Sequence, residues 1–213
     1  MRFHGYFRSS AAYRCRIAFN LKGVAPEFVS VHLRRGEQRA AAFTALNPQA
    51  LVPALEADGR LLTQSLAIIE WLDERHPAPP LLPRDPFDRA HVRALALSIA
   101  CDIHPLQNLR VLAHVKSTYG QEQAGLDAWC RRWIEPGLAA FEATLAKAGT
   151  SGKFCFGDTP TLADICLVPQ MFSAARFGAD VTRLTNIQRI MTACDAHPAF
   201  VAAHPSRQPD AEA

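Results

Sequence analysis

The sequence predicts two successive folding units, a small α/β domain over residues 1–77 and an all-helical bundle over residues 87–213. Up to His76, short β-prone segments alternate with helical ones, whereas beyond Asp85 only the helical spacing of apolar residues remains. Between them, residues 77–83 contain four prolines in seven positions, which is typical of a stiff linker. We therefore expect a connecting segment over residues 78–86. With 49% hydrophobic and 20% charged residues, the composition is that of a globular chain.

The first unit has one strong turn signal, Asp58-Gly59, which lies between two β-prone runs and predicts a hairpin. Helix ends are indicated by Gly23 and Pro48, and Ser65 can begin the last helix. The predicted order is strand Phe3–Tyr6, helix Ala11–Leu21, strand Phe28–Leu33, helix Ala40–Leu46, strand Leu51–Leu55, strand Arg60–Leu62 and helix Ser65–Arg75. Its first two strands should be parallel and joined by a right-handed crossover.

The second unit is predicted to contain four long helices, which follow the apolar periodicity over residues 87–116, 122–148, 162–177 and 184–196. Thr161 and Asp164 are spaced as a capping box at the start of the third, with Asp in place of the usual Glu. The polar residues from His204 onward are expected to be frayed.

Several functional classes are disfavoured by the composition. A net charge of +3 does not demand a nucleic-acid partner, and the eight histidines lack ligand spacing, so no metal site is expected. No run reaches the roughly 18 apolar residues of a membrane span. The six cysteines form no C-x-x-C pair, and we interpret them as reduced thiols of a cytoplasmic protein. Before Glu27 the chain carries five Lys or Arg residues and no acidic one, which is typical of a transit peptide or of a basic functional surface. Because a strand and a helix are predicted in this region, we favour the basic functional surface.

Three short segments carry residues that suit chemistry. Arg8-Ser9-Ser10 lies between the first strand and the first helix, where hydroxyl groups and free N–H groups could stabilise an anion or lower a thiol pKa. Gln64-Ser65 begins the third helix in the same way, and either serine could instead be a simple helix cap. Val52-Pro53 precedes a strand, so this proline lies at an edge, bends the chain or follows a cis bond.

Taken together, these segments resemble the zeta class of glutathione transferases, and within it the bacterial maleylacetoacetate and maleylpyruvate isomerases. The resemblance is carried by residues 8–23, 46–55 and 64–72 in the first unit and by residues 101–110 and 156–164 in the second. It implies a thioredoxin-like domain that binds glutathione, an α-helical domain that binds the substrate, and a cytoplasmic homodimer. No nucleic-acid or membrane partner is implied.

The resemblance also implies roles for individual residues. Arg8, Ser9 and Ser10 would be catalytic, with Ser9 hydrogen-bonded to the glutathione sulfur. Arg8, Arg110 and Arg176 would bind a small dicarboxylate substrate, since guanidinium groups bind carboxylates in a bidentate manner. The glutathione-binding residues would be Ser9, Gln49, Val52, Pro53, Gln64, Ser65, His104 and Asn108, with Pro53 in the cis form. No metal ligand is implied, and we interpret Arg14 and Arg16 as structural or interface charges.

The reaction implied is a glutathione-dependent cis–trans isomerisation of a maleyl keto acid, in tyrosine or aromatic-acid breakdown. Reversible addition of a thiolate converts the double bond into a single bond that can rotate. Ala11 departs from the family pattern, which commonly has a cysteine there, so cysteine-dependent side activities are in doubt. Two alternatives stay open: a general transferase that conjugates glutathione to electrophiles, and a non-catalytic glutathione-binding regulatory protein.

Overall fold

The computed structural model describes residues 1–212, which form two compact units. The first unit comprises residues 1–81 together with the chain from residue 196 onward, and the second comprises residues 82–195. No helix in the described part of the chain is both long enough and apolar enough to cross a membrane.

The first unit is built on a four-stranded mixed sheet. Its strands are β1 (Arg2–Gly5), β2 (Glu27–Ser30), β3 (Ala54–Ala57) and β4 (Arg60–Thr63), in the order β2-β1-β3-β4. β1 pairs in parallel with β2 and antiparallel with β3, which in turn pairs antiparallel with β4. The helices are α1 (Ser10–Leu21), α2 (Ala41–Leu46) and α3 (Ser65–Arg75). The predicted α/β unit and the parallel pairing of its first two strands are confirmed.

Apolar side chains from both the sheet and the helices form the interior of this unit. Phe3 on β1, Leu55 on β3, Ile17 on α1 and Ile68 on α3 are all fully buried. The predicted hairpin is confirmed as well: Asp58 and Gly59 both have positive φ angles, 51° and 72°, as a tight two-residue turn between right-twisted strands requires.

Two strand ends differ by three residues from the sequence prediction, and the others by two or fewer. β2 stops at Ser30 because His32 turns the chain into a 3₁₀ turn over Leu33–Arg35, its ring Nδ1 accepting the backbone N–H of Arg35 at 3.1 Å. β3 begins at Ala54 rather than Leu51, since Pro53 has no N–H to donate to the sheet.

The second unit consists of α4 (Pro86–Leu97), α5 (Leu109–Tyr119), α6 (Gln123–Ala148), α7 (Leu162–Arg176) and α8 (Thr185–Asp195). The predicted helical domain is confirmed, but the single helix expected over residues 87–116 is wrong. A π-helical turn over Ser98–Ile103 and a 3₁₀ turn over His104–Gln107 separate α4 from α5. Pro105 lies at the start of this 3₁₀ turn and has no N–H to donate, which favours a break here, although α6 and α7 continue through Pro136 and Pro169.

The expected capping box at the start of α7 is confirmed. Asp164 accepts the backbone N–H and the hydroxyl of Thr161 at 2.8 and 2.9 Å, and also the backbone N–H of Cys155 at 2.7 Å. Complete burial raises the pKa of Asp164, and these bonds oppose the rise. The carboxylate thus joins the loop before α7 to the helix itself.

The carboxyl-terminal segment is ordered, so the expectation of a frayed end from His204 is wrong. After residue 196 the chain forms α9 (Pro198–Ala203), which packs against α1, and the residues after it hydrogen-bond to the first unit. The sequence prediction placed this segment in the helical domain. Its polar composition gave no sign of its hydrogen-bond partners, which include Phe7 and His32.

Candidate active site

The turn that connects β1 to α1 carries Arg8, Ser9 and Ser10. The backbone N–H of Ser9 donates to the Tyr6 carbonyl oxygen at 3.0 Å, which closes the turn. Ser9 is the N-cap of α1, and its Oγ accepts the backbone N–H of Ala12 at 3.2 Å. A serine hydroxyl can still donate its hydrogen while it accepts. Ser9 therefore caps the helix and keeps one donor for a ligand.

The surroundings of Ser9 favour negative charge. No acidic residue lies in the first turn of α1, so its positive dipole end is not neutralised by a side chain of that turn. Arg8 is half-buried, and its guanidinium lies 6.0 Å from the centre of the Phe7 ring. Ser10, the first residue of the helix, is buried. This end of α1 can stabilise an anion such as a thiolate.

The start of α3 is a second position suited to an anion. Gln64 precedes the helix with a positive φ of 68°, and its side chain makes no capping hydrogen bond. The first turn of the helix has no acidic residue, and Ser65 within it is buried. The N–H groups of this turn are thus left for a ligand, in contrast to α1, where Ser9 occupies one of them.

Arg14 lies directly behind Ser65. Its Nε–H donates to Ser65 Oγ at 3.0 Å, and both side chains are buried, with exposed fractions of 4% and 5% for the two residues. Because Ser65 Oγ accepts from Arg14, its own hydrogen can be donated to a ligand. Arg14 Nη1 is also buried and has no hydrogen-bond partner among residues 1–212. The charge of Arg14 and the uncapped N–H groups at the start of α3 therefore both favour a negatively charged ligand.

A loop between α2 and β3 brings Gln49 to the same helix end. The Gln64 side-chain amide donates to Gln49 Oε1 at 3.2 Å. Asn47 supports this loop, since it accepts the backbone N–H of Gln49 and donates to the Leu51 carbonyl oxygen at 2.8 Å. The Val52-Pro53 bond that follows is cis, as the resemblance to the zeta-class transferases implies. The structure thus joins Gln49, Gln64 and Ser65 around one helix terminus.

The remaining predicted residues belong to the second unit. His104 begins the 3₁₀ turn before α5, and Asn108 caps α5, where its Oδ1 accepts the backbone N–H of Arg110 at 3.1 Å. Arg110 and Arg176 are exposed, and Arg176 is the last residue of α7, with its guanidinium 5.0 Å from the Phe177 ring centre. Arg8 lies in the first unit, so the convergence of the three arginines stays a prediction.

Sequence reasoning missed the positions of Arg14 and Arg16. Two residues apart on α1, they diverge: Arg14 reaches Ser65, whereas Arg16 donates to the carbonyl oxygens of Tyr6, Phe7 and Ala203. Burial lowers the pKa of Arg16 to about 10, which leaves it protonated at neutral pH. The sequence feature that could have indicated these roles is the set of basic residues before Glu27, which has no acidic residue among them as an ion-pair partner.

The six cysteines, all within the described residues, are thiols outside any disulfide, and five of them are buried. Burial raises the pKa of Cys130 to about 12 and also raises the pKa values of Cys155 and Cys194. These three thiols therefore stay protonated and unreactive at neutral pH. Cys101 is exposed.

Comparison with known proteins gives a consistent result along the whole chain. Residues 3–80 match the family model described as the glutathione S-transferase N-terminal domain, and residues 123–202 match the C-terminal domain of the same family. The chain is 49% identical to a maleylpyruvate isomerase of Ralstonia sp, with 99% of each sequence covered.

Two solved structures illustrate the similarity in three dimensions. One is the holo structure of a maleylpyruvate isomerase described as a bacterial zeta-class glutathione S-transferase, with a TM-score of 0.97, 48% identity and full coverage of both chains. The other is a maleylacetoacetate isomerase of Methylobacterium extorquens AM1 with bound malonate and glutathione, with a TM-score of 0.96, 41% identity and full coverage of both chains.

Proposed function

The chain belongs to the zeta class of the glutathione S-transferase family, and from this premise we propose that it is a glutathione-dependent cis–trans isomerase. Its substrate would be a maleyl keto acid, converted to the fumaryl isomer. The mixed α/β unit is the thioredoxin-like domain of this family. Nearly half of all positions are identical to those of a maleylpyruvate isomerase over 99% of both chains, which supports the same reaction here.

The observation that carries the glutathione part of the proposal is the start of α3. Glutathione carries a carboxylate at its γ-glutamyl end, and Ser65, the adjacent N–H groups and the buried Arg14 together suit such a group. Gln49 and Gln64, already hydrogen-bonded to each other, would reach its remaining polar groups. The Val52 backbone beside Pro53 would pair with the cysteinyl part of the peptide. Residues of this chain therefore fit glutathione.

When bound, glutathione supplies the thiolate that adds reversibly to one carbon of the maleyl double bond and so permits rotation. The chain's own contribution lies in Arg8, Ser9 and Ser10. The Ser9 hydroxyl would donate to the sulfur, and the positive end of α1 would lower the thiol pKa. Because Ser9 is fixed as the helix cap, its hydroxyl is held in place before any ligand binds.

We propose that Arg8, Arg110 and Arg176 bind the two carboxylates of the substrate. A dianion suits bidentate guanidinium groups, and two structurally similar isomerases contain malonate or citrate beside glutathione or a glutathione derivative. His104 and Asn108 would contact glutathione from the second unit. We propose that the first unit, predicted as residues 1–77, binds glutathione and that the helical unit, predicted as residues 87–213, binds the substrate through its residues before 196. Residues 78–86 connect the two.

We further propose that the protein is a cytoplasmic homodimer that acts in the breakdown of tyrosine or of another aromatic acid. Maleylpyruvate and maleylacetoacetate differ little beyond chain length. The ratio of kcat/KM for the two compounds, measured with purified protein and glutathione, tests the assignment. A large preference for either one supports the isomerase proposal and names the substrate. Absence of turnover on both contradicts it.

Replacement of Ser9 by Ala tests the catalytic assignment. We expect kcat to fall far more than the affinity for glutathione, because the hydroxyl interacts with the sulfur and not with the γ-glutamyl carboxylate. Activity equal to that of the wild type would remove Ser9 from the reaction. Since Ser9 also caps α1, the melting temperature of the variant must be measured alongside.

Replacement of Arg176 by Ala tests the substrate clamp. We expect a higher KM for the dianionic substrate and an unchanged affinity for glutathione. Arg183→Ala is the matched control, since Arg183 is an exposed arginine in the same unit outside the proposed site. If Arg176→Ala weakens only glutathione binding, the clamp assignment is wrong.

A further inference from the structure

The carboxyl-terminal segment is hydrogen-bonded to the turn that carries Arg8 and Ser9. Asp210 Oδ2 accepts the backbone N–H of Phe7 at 3.0 Å and the hydroxyl of Ser30 at 3.2 Å. Phe7 immediately precedes Arg8, and it is 203 residues away from Asp210 in sequence. A carboxylate near the end of the chain is therefore the acceptor for a backbone donor of the proposed catalytic turn.

The carbonyl side of the same turn is held by Arg16. Its guanidinium donates to the carbonyl oxygens of Phe7 at 2.9 Å and Tyr6 at 3.4 Å, and also to that of Ala203 in α9 at 3.1 Å. Both backbone polar groups of Phe7 are thus bonded to side chains that belong to, or contact, the carboxyl-terminal segment. Since Phe7 is buried, the loss of either partner leaves a polar group without water.

Further contacts hold the segment in place beyond Asp210. Glu212 accepts from the ring of His32 at 2.6 Å, and the guanidinium groups of Arg34 and Arg35 lie 3.8 Å from the same carboxylate. Gln208 donates to the carbonyl oxygens of Ala202 and His204. These bonds fix the direction in which the chain leaves α9 and so fix the position of Asp210.

We propose that Asp210 is a positioning residue for the Arg8–Ser9 turn, so that the carboxyl-terminal segment is a working part of the active site. The proposal rests on the role assigned to Ser9 under the proposed function. Asp210 does not touch the reacting atoms; it fixes the Tyr6–Phe7 peptide plane, and Ser9 follows two residues after Phe7. Loss of this bond should shift the Ser9 hydroxyl relative to the sulfur, while the carboxylate site at α3 keeps all its contacts.

The test compares Asp210→Ala with Asp210→Asn. The alanine variant removes the acceptor, whereas the asparagine variant keeps one carbonyl oxygen for the Phe7 N–H. Glu74→Ala is the matched control, because it removes an exposed carboxylate from the same unit. Three quantities are measured: hydrogen exchange of residues 6–12 in the protein without ligand, the thiol pKa of bound glutathione from thiolate absorbance, and kcat and KM separately.

For Asp210→Ala we expect exchange at the Phe7 amide to rise about tenfold, which corresponds to about 1.4 kcal/mol of lost local protection. The thiol pKa should rise and kcat should fall by a similar factor, with little change in the dissociation constant of glutathione. Asp210→Asn and Glu74→Ala should stay close to wild type in all three. A lower melting temperature with unchanged thiol pKa and kcat would mean a purely structural role and would overturn the proposal.

A third Asp210 variant covers the case that the Asp210→Ala protein does not fold. Asp210→Gln keeps an acceptor but moves it by one methylene group, so it should raise both the exchange and the thiol pKa; wild-type values would overturn the proposal. The exchange and thiol measurements need no maleyl substrate. If they respond as expected while the wild type fails to isomerise any maleyl keto acid, the positioning role stands and the proposed function alone is wrong.

Discussion

Replacing Arg14 by Met is expected to weaken glutathione binding strongly while it leaves the free energy of unfolding almost unchanged. Arg14 is 4% exposed, donates to Ser65 Oγ at 3.0 Å and has a second buried nitrogen, Nη1, without a partner in the part of the chain that the structure describes. The free protein thus carries a buried charge that is only partly compensated. A bound carboxylate would supply the missing interaction.

The size of the effect follows from these contacts. A hydrogen bond that involves a charged group contributes about 1.5–3 kcal/mol. Since each 1.4 kcal/mol is a factor of ten in affinity, the dissociation constant of glutathione should rise about 10- to 100-fold. Stability should change little, because the cost of keeping a guanidinium buried offsets its attraction to Ser65, and Met fills a similar volume. Ser65→Ala removes one neutral donor and should cost about tenfold.

Isothermal titration calorimetry with glutathione measures the affinities of the wild type, Arg14→Met, Ser65→Ala and the double variant, and urea unfolding measures their stabilities. The two single effects should not add, because the residues are in direct contact. Arg60→Met is the control for an exposed arginine of the same unit. Affinity of Arg14→Met within twofold of wild type, or fully additive effects, would refute this account of the α3 site.

Three further predictions concern stability and reactivity. Asp164→Ala should destabilise the protein by about 3–5 kcal/mol in urea unfolding, because two buried backbone donors lose their acceptor together with the cap, whereas Asp164→Asn should cost less. The hydrogen bond from His32 lowers the pKa of Glu212, so its stabilisation is present at neutral pH and is lost as the pH falls through that lowered pKa. The difference in melting temperature between wild type and Glu212→Gln should therefore vanish in acid, and a constant difference would argue against a stabilising His32–Glu212 hydrogen bond. Cys101 is the exposed thiol, so a thiol reagent at neutral pH should modify about one cysteine per chain rapidly, and none in Cys101→Ser.

Features governed by local sequence could be predicted well. The Asp58-Gly59 hairpin and the extent of the helix Ser65–Arg75 agree with the prediction, because turn residues act on their immediate neighbours. The expected capping role of Ser65 is wrong, since Gln64 is the N-cap and Ser65 is the first helical residue. The capping box at Asp164 belongs to the same class of signal. The motifs around Ser9, Pro53 and Ser65 were recognised as a set, since each lies at a junction between a strand or loop and a helix.

Features that depend on partners distant in sequence could not be predicted. No residue near Asp210 in sequence indicates that its carboxylate accepts from the Phe7 amide. The polar composition of the carboxyl-terminal segment therefore predicted a frayed end. Helical periodicity also continues through the π-helical and 3₁₀ turns before Asn108, and Pro105 was the one local sign of a break. The spacing of Arg14 and Arg16 on one helix predicts only that they do not share a pocket; the contact of Arg14 with Ser65 spans 51 residues and has no local signal.

The central claim is that this chain uses glutathione as a cofactor that is returned unchanged after isomerisation. The most direct measurement follows a maleyl keto acid at large excess over glutathione, with purified protein, and quantifies both the fumaryl product and the remaining free thiol. The account predicts many turnovers per glutathione, no reaction without glutathione, and full recovery of the thiol. Consumption of one glutathione per substrate would contradict the account and would identify a conjugating enzyme instead.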